Sequence, residues 1–406
     1  MADIERIIKG EVLMQQEILV MKNKEHLFFI DKEIFVLLFD NTVVRRKNTF
    51  FNATQKGLIQ FDDFVSLSRK GEVPYPLFFL DKASAEKTIE DYKKKVFYGV
   101  SKGQLSLSSR GDITLADISL ILKDITRKQN YLKKYISKPN NISGMYAKTS
   151  KNLIDKAQEM RNIVGYDIEK VINLKNKEDS FNLIDKGLAN HNVFISLYAH
   201  NYTPQDIDKL FQFSGIAIKD KRCPFIFIKA GDYDSSVELW GRRLFTTALL
   251  LSCLLHGDCR PVTMDGSCRD LVTDDHYLFA EEFLMPWNLF AKESCTSIDS
   301  VNKLADKYSV SPSAIVMRLY RLGMIDYSSK NEYLDLLAEE WRKVKNKKGG
   351  GRSISLEKGI NRYNNRAVVE FVIRGYKTNK INAQEAKNLL CYKKGDKFNM
   401  VELLHV

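Results

Sequence analysis

The sequence predicts an α+β protein that is mostly helical and is built around a small sheet. One indication is a helical period of about 3.6 residues in the apolar positions Leu115, Ile118, Leu122, Ile125 and Leu132. A second is a set of three short runs rich in β-branched and aromatic residues, VFISLY at 193–198, GIAIK at 215–219 and PFIFIK at 224–229. The third is a helical stretch at 240–256 that is apolar on every side, which is typical of a buried central helix.

The composition is that of an ordinary globular protein. The 406 residues are 44% hydrophobic and 28% charged, which argues against bulk disorder and fibrous architectures. The longest apolar candidate, 248–255, is far shorter than the roughly 18–20 residues of a membrane span, and the first residues lack the apolar stretch of a signal peptide. We therefore expect a cytoplasmic protein with no membrane partner. The net charge of +12 permits nucleic-acid contact without requiring it.

Changes in pattern along the chain predict six segments. The prolines of VPYPL close the first segment, because proline fixes φ and removes a backbone donor. The run KVKNKKGGGR predicts a flexible basic linker. The segments are an N-terminal domain (1–80), a helical connecting domain (81–170), a core (171–292), a helix-turn-helix-like unit (293–342), the linker (343–353) and a C-terminal helical unit (354–406).

Four motifs occur in one order along the chain. They are PFIFIKAGD, the RRLFT run from Arg242 to Thr246, the YLFAEEFLMP run from Tyr277 to Pro286, and the stretch from Leu304 through Ser311-Pro312 to Gly323. Together they resemble the ImmA/IrrE family of metallopeptidase-like proteins, in particular its long phage- and toxin–antitoxin-associated branch. The resemblance covers roughly residues 55–400. It implies a zincin-like core followed by a helix-turn-helix-like unit.

The resemblance also identifies where chemistry would be expected. Active members carry H-E-x-x-H on a helix, because residues i and i+4 share a face and can bind one zinc ion while the glutamate activates water. Here that register falls on Leu249, Leu250 and Cys253, and the third-ligand position matches Asp275. Two possible ligands are fewer than the three that a catalytic zinc requires. The resemblance therefore implies a pseudo-metallopeptidase with no catalytic residues, no zinc and no other cofactor.

A non-catalytic scaffold of this kind implies an interaction or regulatory protein of a prophage, toxin–antitoxin or anti-phage locus. Its partner would be a protein such as a repressor, an antitoxin or a phage protein. The candidate binding cleft is formed by Arg242, Arg243, Asp275, His276 and His256.

A rebuilt metal site is the first alternative. Histidine, cysteine and aspartate side chains bind metals, and the candidate ligands all lie within 24 residues: Cys253, His256, Cys259, Cys268, Asp275 and His276. Such a site would make the protein a metal-dependent peptidase that cleaves a repressor or antitoxin. A cysteine nucleophile paired with one of these histidines is also conceivable, but no third group that would orient the base is identifiable.

A DNA-binding regulator is the second alternative. Arg318 and Arg321 lie three residues apart on the second helix of the helix-turn-helix-like unit, where they could reach guanine or phosphate. The linker lysines Lys345, Lys347 and Lys348 could contact phosphates. The structural interpretation of the arginines is that they pair with acidic side chains or are solvated. Residues 1–80 occupy the position where long-branch relatives carry a repressor-type helix-turn-helix, but its tight turn is not found.

Overall fold

The computed structural model describes residues 16–97, 105–106, 114–199, 201–205, 207, 213–229, 239–263, 270–346, 354–393 and 395–405. The chain forms two compact units. The first comprises Met1–Tyr98 and Thr114–Thr126, and the second comprises Gly99–Ile113 and Arg127–Val406.

The first unit is a three-stranded sheet with helices. The strands are β1 (Glu17–Lys22), β2 (Glu25–Asp31) and β3 (Leu58–Gln60) in the order β2-β1-β3. β1 is antiparallel to β2 and parallel to β3. The helices are α1 (Lys32–Asp40), α2 (Asn48–Lys56), α3 (Phe61–Gly71), α4 (Lys82–Val96) and α5 (Ser119–Leu132), whose last six residues belong to the second unit.

The core of the first unit is aromatic. Phe35, Phe39, Phe50, Phe64 and Phe78 are buried, and the rings of Phe35 and Phe39 meet edge to face with centroids 4.9 Å apart. The sheet was not predicted, because the run LFFIDKEIFVLLF continues across the junction of β2 and α1. Asp31 marks that junction, since its carboxylate accepts hydrogen bonds from the first backbone N–H groups of α1.

The second unit contains a five-stranded sheet. Its strands are β4 (Leu105–Ser106), β5 (Phe194–Leu197), β6 (Gly215–Ile218), β7 (Phe225–Ile228) and β8 (Pro261–Thr263), in the order β4-β8-β6-β7-β5. β5 is parallel to β7, whereas β6 is antiparallel to both β7 and β8. The three predicted strand runs form β5, β6 and β7, and every residue of these strands is buried.

The helices of the second unit follow in chain order. They are α6 (Leu153–Val164), α7 (Ile168–Val171), α8 (Lys177–Asn190), α9 (Leu239–His256), α10 (Asp275–Leu284), α11 (Trp287–Phe290), α12 (Ile298–Lys307), α13 (Pro312–Arg321), α14 (Tyr327–Asn346), α15 (Leu356–Asn364), α16 (Arg366–Lys377), α17 (Ala383–Leu389) and α18 (Met400–His405). The prediction of a mostly helical α+β protein is confirmed, and the six segment boundaries stay predictions.

Helix α9 is the buried central helix that the sequence predicts. Every residue from 249 to 255 has no exposed surface. The helix lies against the sheet at Gly215, where an added Cβ would be 2.7 Å from Leu250 Cδ1. No helix among the described residues is long and apolar enough to cross a membrane.

Candidate functional site

A polar cluster lies where the last turn of α9 meets the first turn of α10. Ser252 and His256 are one turn apart on α9, and His276 follows the first residue of α10. The carboxylate of Asp274 accepts the backbone N–H groups of His276 and Tyr277, which fixes the start of α10. The sequence thus places three polar side chains at the rim of an otherwise hydrocarbon core.

Ser252 links the two histidines. Its Oγ lies 3.0 Å from Nδ1 of His276 and 3.4 Å from Nδ1 of His256. His256 Nδ1 also lies 2.8 Å from the backbone carbonyl of Ser252, to which it donates. The two imidazole rings meet edge to face with centroids 5.2 Å apart.

Charged groups surround the two rings. Lys156 Nζ on α6 lies 3.2 Å from His256 Nε2, and Asp258 Oδ2 lies 3.6 Å from His276 Nε2. Asp258 also pairs with Arg260, and the side chain of Asp275 is exposed.

The surroundings of His256 disfavour its protonation. Burial lowers the pKa of His256, and the positive charge of Lys156 and the neighbouring ring of His276 lower it further. The hydrogen bond to Ser252 and the charge of Asp275 oppose this shift without cancelling it. The neutral form fits the observed contacts, because Nδ1 donates to a carbonyl while Nε2 accepts from the lysine.

The cluster has the order of groups found in a Ser-His-Asp triad, but its geometry does not suit nucleophilic catalysis. Ser252 has no exposed surface, so its hydroxyl is closed to a substrate carbonyl. The separation of 3.6 Å between Asp258 and His276 is also longer than a hydrogen bond. The arrangement is therefore a closed hydrogen-bond cluster rather than an activated nucleophile.

The cluster and its neighbours include side chains of the types that bind zinc. Within the described ranges, no three histidine, cysteine, aspartate or glutamate side chains converge on a point that could hold a metal ion. Cys253 and Cys259 are both buried, and burial raises the pKa of Cys253 and raises that of Cys259 to about 12. Cys268, part of the sequence-predicted alternative, lies outside the described residues. The described donors do not fit a three-ligand zinc site.

The predicted register of the degenerate motif differs from the pair that faces α10. Leu250 packs against Gly215 of β6, and Leu249 and Cys253 are buried in hydrocarbon surroundings. The polar contacts between α9 and α10 are instead made by Ser252 and His276, beside His256. The polar i, i+4 pair at the helix crossing is Ser252 and His256, three residues after the pair of the predicted register, which stays a prediction. Inspecting every i, i+4 polar pair on this helix would have found Ser252.

The five residues of the predicted cleft do not come together. His256, His276 and Asp275 lie at the C-terminal end of α9, whereas Arg242 and Arg243 lie near its N-terminal end. At about 1.5 Å rise per residue, some 20 Å of helix separates them. Arg243 is buried, with its guanidinium 4.6 Å from the ring centroid of Trp240. The cleft prediction is corrected to the histidine end alone.

The arginines predicted as DNA contacts pair with buried carboxylates. Arg318 is 4% exposed, with Nη2 2.5 Å from Glu282 Oε2 and Nη1 3.5 Å from Glu281 Oε2. Arg321 Nε lies 2.7 Å from Glu281 Oε2. Burial raises the pKa of Glu281, and the two guanidinium groups oppose that rise. In this conformation both arginines connect α13 to α10 and do not present their guanidinium groups to a ligand.

The other residues predicted to contact nucleic acid are the linker lysines. Lys345 belongs to the last turn of α14, and Lys347 and Lys348 lie outside the described residues. Within the segment 293–342, α12 precedes α13, and the hydroxyl of Ser311 accepts the backbone N–H of Ala314 as the N-cap of α13.

Comparison of the chain with protein families, curated proteins and solved structures finds no match. The residues of the site are therefore the basis for its chemistry.

Proposed function

We propose that this protein is a catalytically inactive ImmA/IrrE-like pseudo-metallopeptidase that acts as an interaction or regulatory protein. The observation that supports the proposal most directly is the closed cluster between α9 and α10. It offers two imidazoles, three of whose four ring nitrogens lie within hydrogen-bond distance of a partner, and a buried serine. A peptidase needs three protein ligands, an open coordination position and a base for water.

We extend the proposal to the register of the polar i, i+4 pair that lies beside α10. Ser252-Cys253-x-x-His256 then takes the place of H-E-x-x-H, with His276 as the neighbouring residue from α10. One histidine of the motif is kept and the other is a serine. The glutamate is replaced by Cys253, whose pKa burial raises, and a protonated buried thiol cannot act as the base for water.

The biological setting and the partner follow from the family resemblance. The protein would act within a prophage, toxin–antitoxin or anti-phage locus in the cytoplasm. It would bind a repressor, antitoxin or phage protein through the surface around His256, His276 and Asp275. In such a role the zincin-like core supplies a stable shape, and the helix-turn-helix-like unit is anchored to it through Glu281 and Glu282.

The experiment is co-expression of the full chain with the products of its neighbouring genes. The proposal predicts a stable complex with one of these proteins, in which mass spectrometry finds the partner intact after incubation with Zn²⁺. The surface variant Asp275→Arg should weaken the complex, whereas the matched variant Asp299→Arg on α12 should not. Cleavage of the partner, or the lack of any complex, would contradict the proposal.

The second candidate is a metal-dependent peptidase with a rebuilt site. The observation in its favour is the close approach of His256, His276 and Asp258. This candidate requires the rings to release Lys156 and Ser252 and to turn toward a common ion. It predicts chelator-sensitive cleavage of the same partner, so the co-expression experiment distinguishes the two functions.

A further inference from the structure

A group of exposed basic side chains lies on the second unit and shares no residue with the histidine cluster. We name it the basic strip and define it by six exposed residues: Lys134, Lys138, Lys221, Arg374, Lys377 and Lys380. They come from three separate stretches of the sequence, namely the residues after α5, the loop between β6 and β7, and the C-terminal part of α16 with the turn that follows it. The sequence alone therefore does not show that they are neighbours.

Two hydrogen bonds join the first two stretches. The backbone N–H of Asn140 donates to the carbonyl of Lys221 at 2.7 Å. Arg222 Nη1 donates to the carbonyl of Lys133 at 3.1 Å. The basic residues of the loop thus lie beside those that follow α5.

Aromatic rings join the third stretch to the first. The ring centroids of Tyr135 and Phe371 are 6.3 Å apart. Lys380 Nζ lies 5.0 Å from the centroid of Tyr135, and Arg374 Cζ lies 5.7 Å from that of Phe371. Both rings are half-buried, so each keeps some surface toward solvent. The strip therefore alternates cations with aromatic rings.

Few carboxylates neutralise this surface. Asp220 is buried and accepts from Lys133 at 2.5 Å. Glu370 pairs with Arg366, and the carboxylate of Glu385 accepts the backbone N–H of Asn382 at the start of α17. No ion pair involves the six residues of the strip within the part of the chain that the structure describes.

We propose that the basic strip binds single-stranded nucleic acid. Lysine and arginine side chains neutralise successive phosphates and release condensed counterions. The half-buried aromatic rings between them keep surface on which unpaired bases can stack. The bases of a duplex are already stacked and paired, so they cannot use this surface. An acidic protein would satisfy the charges but would make no use of the aromatic rings. This function is independent of the pseudo-peptidase proposal and uses none of its residues.

The test measures binding of the full chain to a fluorescently labelled 20-nucleotide oligo-uridine by anisotropy across a salt series. Affinity should fall linearly with salt on logarithmic axes, with a slope of about −0.7 per phosphate contacted. The variant K134E/K377E/K380E should lose at least about tenfold in affinity and give a shallower slope. The matched variant K175E/K186E/K292E makes the same change in net charge at exposed lysines elsewhere on the second unit, and should bind as the wild type does.

Tyr135→Leu tests the aromatic contribution and should weaken binding by about fivefold or more with the salt slope unchanged. Thermal melting of each variant checks that the fold is kept. Equal loss of affinity in the two triple variants would overturn the proposal, as would no binding at all. Equally tight binding of a 20-base-pair duplex or of poly-glutamate would overturn it too, because the strip would then recognise charge alone.

Discussion

The fold lowers the pKa of His256, and this makes stability depend on pH. Its pKa is lowered in the folded protein by burial and by nearby positive charge. Below about pH 6.5, the ordinary pKa of histidine, the unfolded chain takes up a proton that the folded chain resists. The contribution of His256 to the free energy of unfolding is therefore greatest at neutral pH and falls as the pH is lowered.

Replacing His256 with glutamine removes this titration. We expect the free energy of unfolding of the wild type to decrease relative to His256→Gln as the pH falls from 7.5 to 5, by at most about 1.4 kcal/mol per pH unit. Urea unfolding at several pH values measures it. Parallel pH profiles for the two proteins would contradict the description of His256.

Ser252 is the residue whose identity decides whether three ligands can meet at the helix crossing. Ser252→His would place three imidazoles together, at 252, 256 and 276. We expect this variant to gain zinc, seen as a rise in melting temperature on addition of Zn²⁺ that the wild type does not show. Leu249→His is the matched control in the sequence-predicted register. A zinc-dependent rise in the melting temperature of Leu249→His but not of Ser252→His would support the register predicted from the sequence.

The joint between α10 and α13 depends on buried charge. Arg318 and Arg321 contact Glu281 and Glu282, and these carboxylates have almost no contact with water. Such a network adds little when complete, but removing one partner leaves buried charge uncompensated.

Arg318→Ala should therefore destabilise the protein by about 3–5 kcal/mol. Arg342→Ala on the exposed end of α14 should change stability by less than about 0.5 kcal/mol. Chemical denaturation of both variants measures these effects. A stable Arg318→Ala protein that loses affinity for DNA would show that this arginine is a DNA contact rather than part of the joint.

Elements with a clear period could be predicted from the sequence, and junctions without one could not. The runs of β5, β6 and β7 are short, apolar and bounded by polar residues, so each pattern indicates a buried strand. The junction of β2 and α1 is hidden because both elements are apolar and Asp31 alone marks the change. A local pattern of apolar and polar residues indicates which residues are buried, but it does not indicate where one element ends and the next begins.

The sequence predicts some residues of the polar cluster and misses others. His256 and His276 were predicted as candidates from their proximity in sequence, and the structure places their rings together. Lys156 and Asp258 were missed, because Lys156 comes from α6, about a hundred residues earlier, and Asp258 depends on the turn after α9. The basic strip has the same origin, since its three segments meet only in the folded second unit.

At the scale of the whole molecule, hydrocarbon packing around α9 holds the helix in place beside the polar cluster. Leu249, Leu250 and Leu251 have no exposed surface, and full burial of each contributes roughly 1.5–3 kcal/mol. Packing of α9 between the sheet and α10 therefore contributes to the stability of the second unit. On the two proposals made above, the protein binds a partner protein near the histidine cluster and single-stranded nucleic acid at the basic strip.

Elemental analysis of the purified full chain tests this account most directly. After incubation with excess Zn²⁺ and gel filtration, the wild type should retain far less than one zinc per chain. About one zinc per chain, released by a chelator and lost in both His256→Ala and His276→Ala, would contradict it, because the histidine cluster would then be a metal centre.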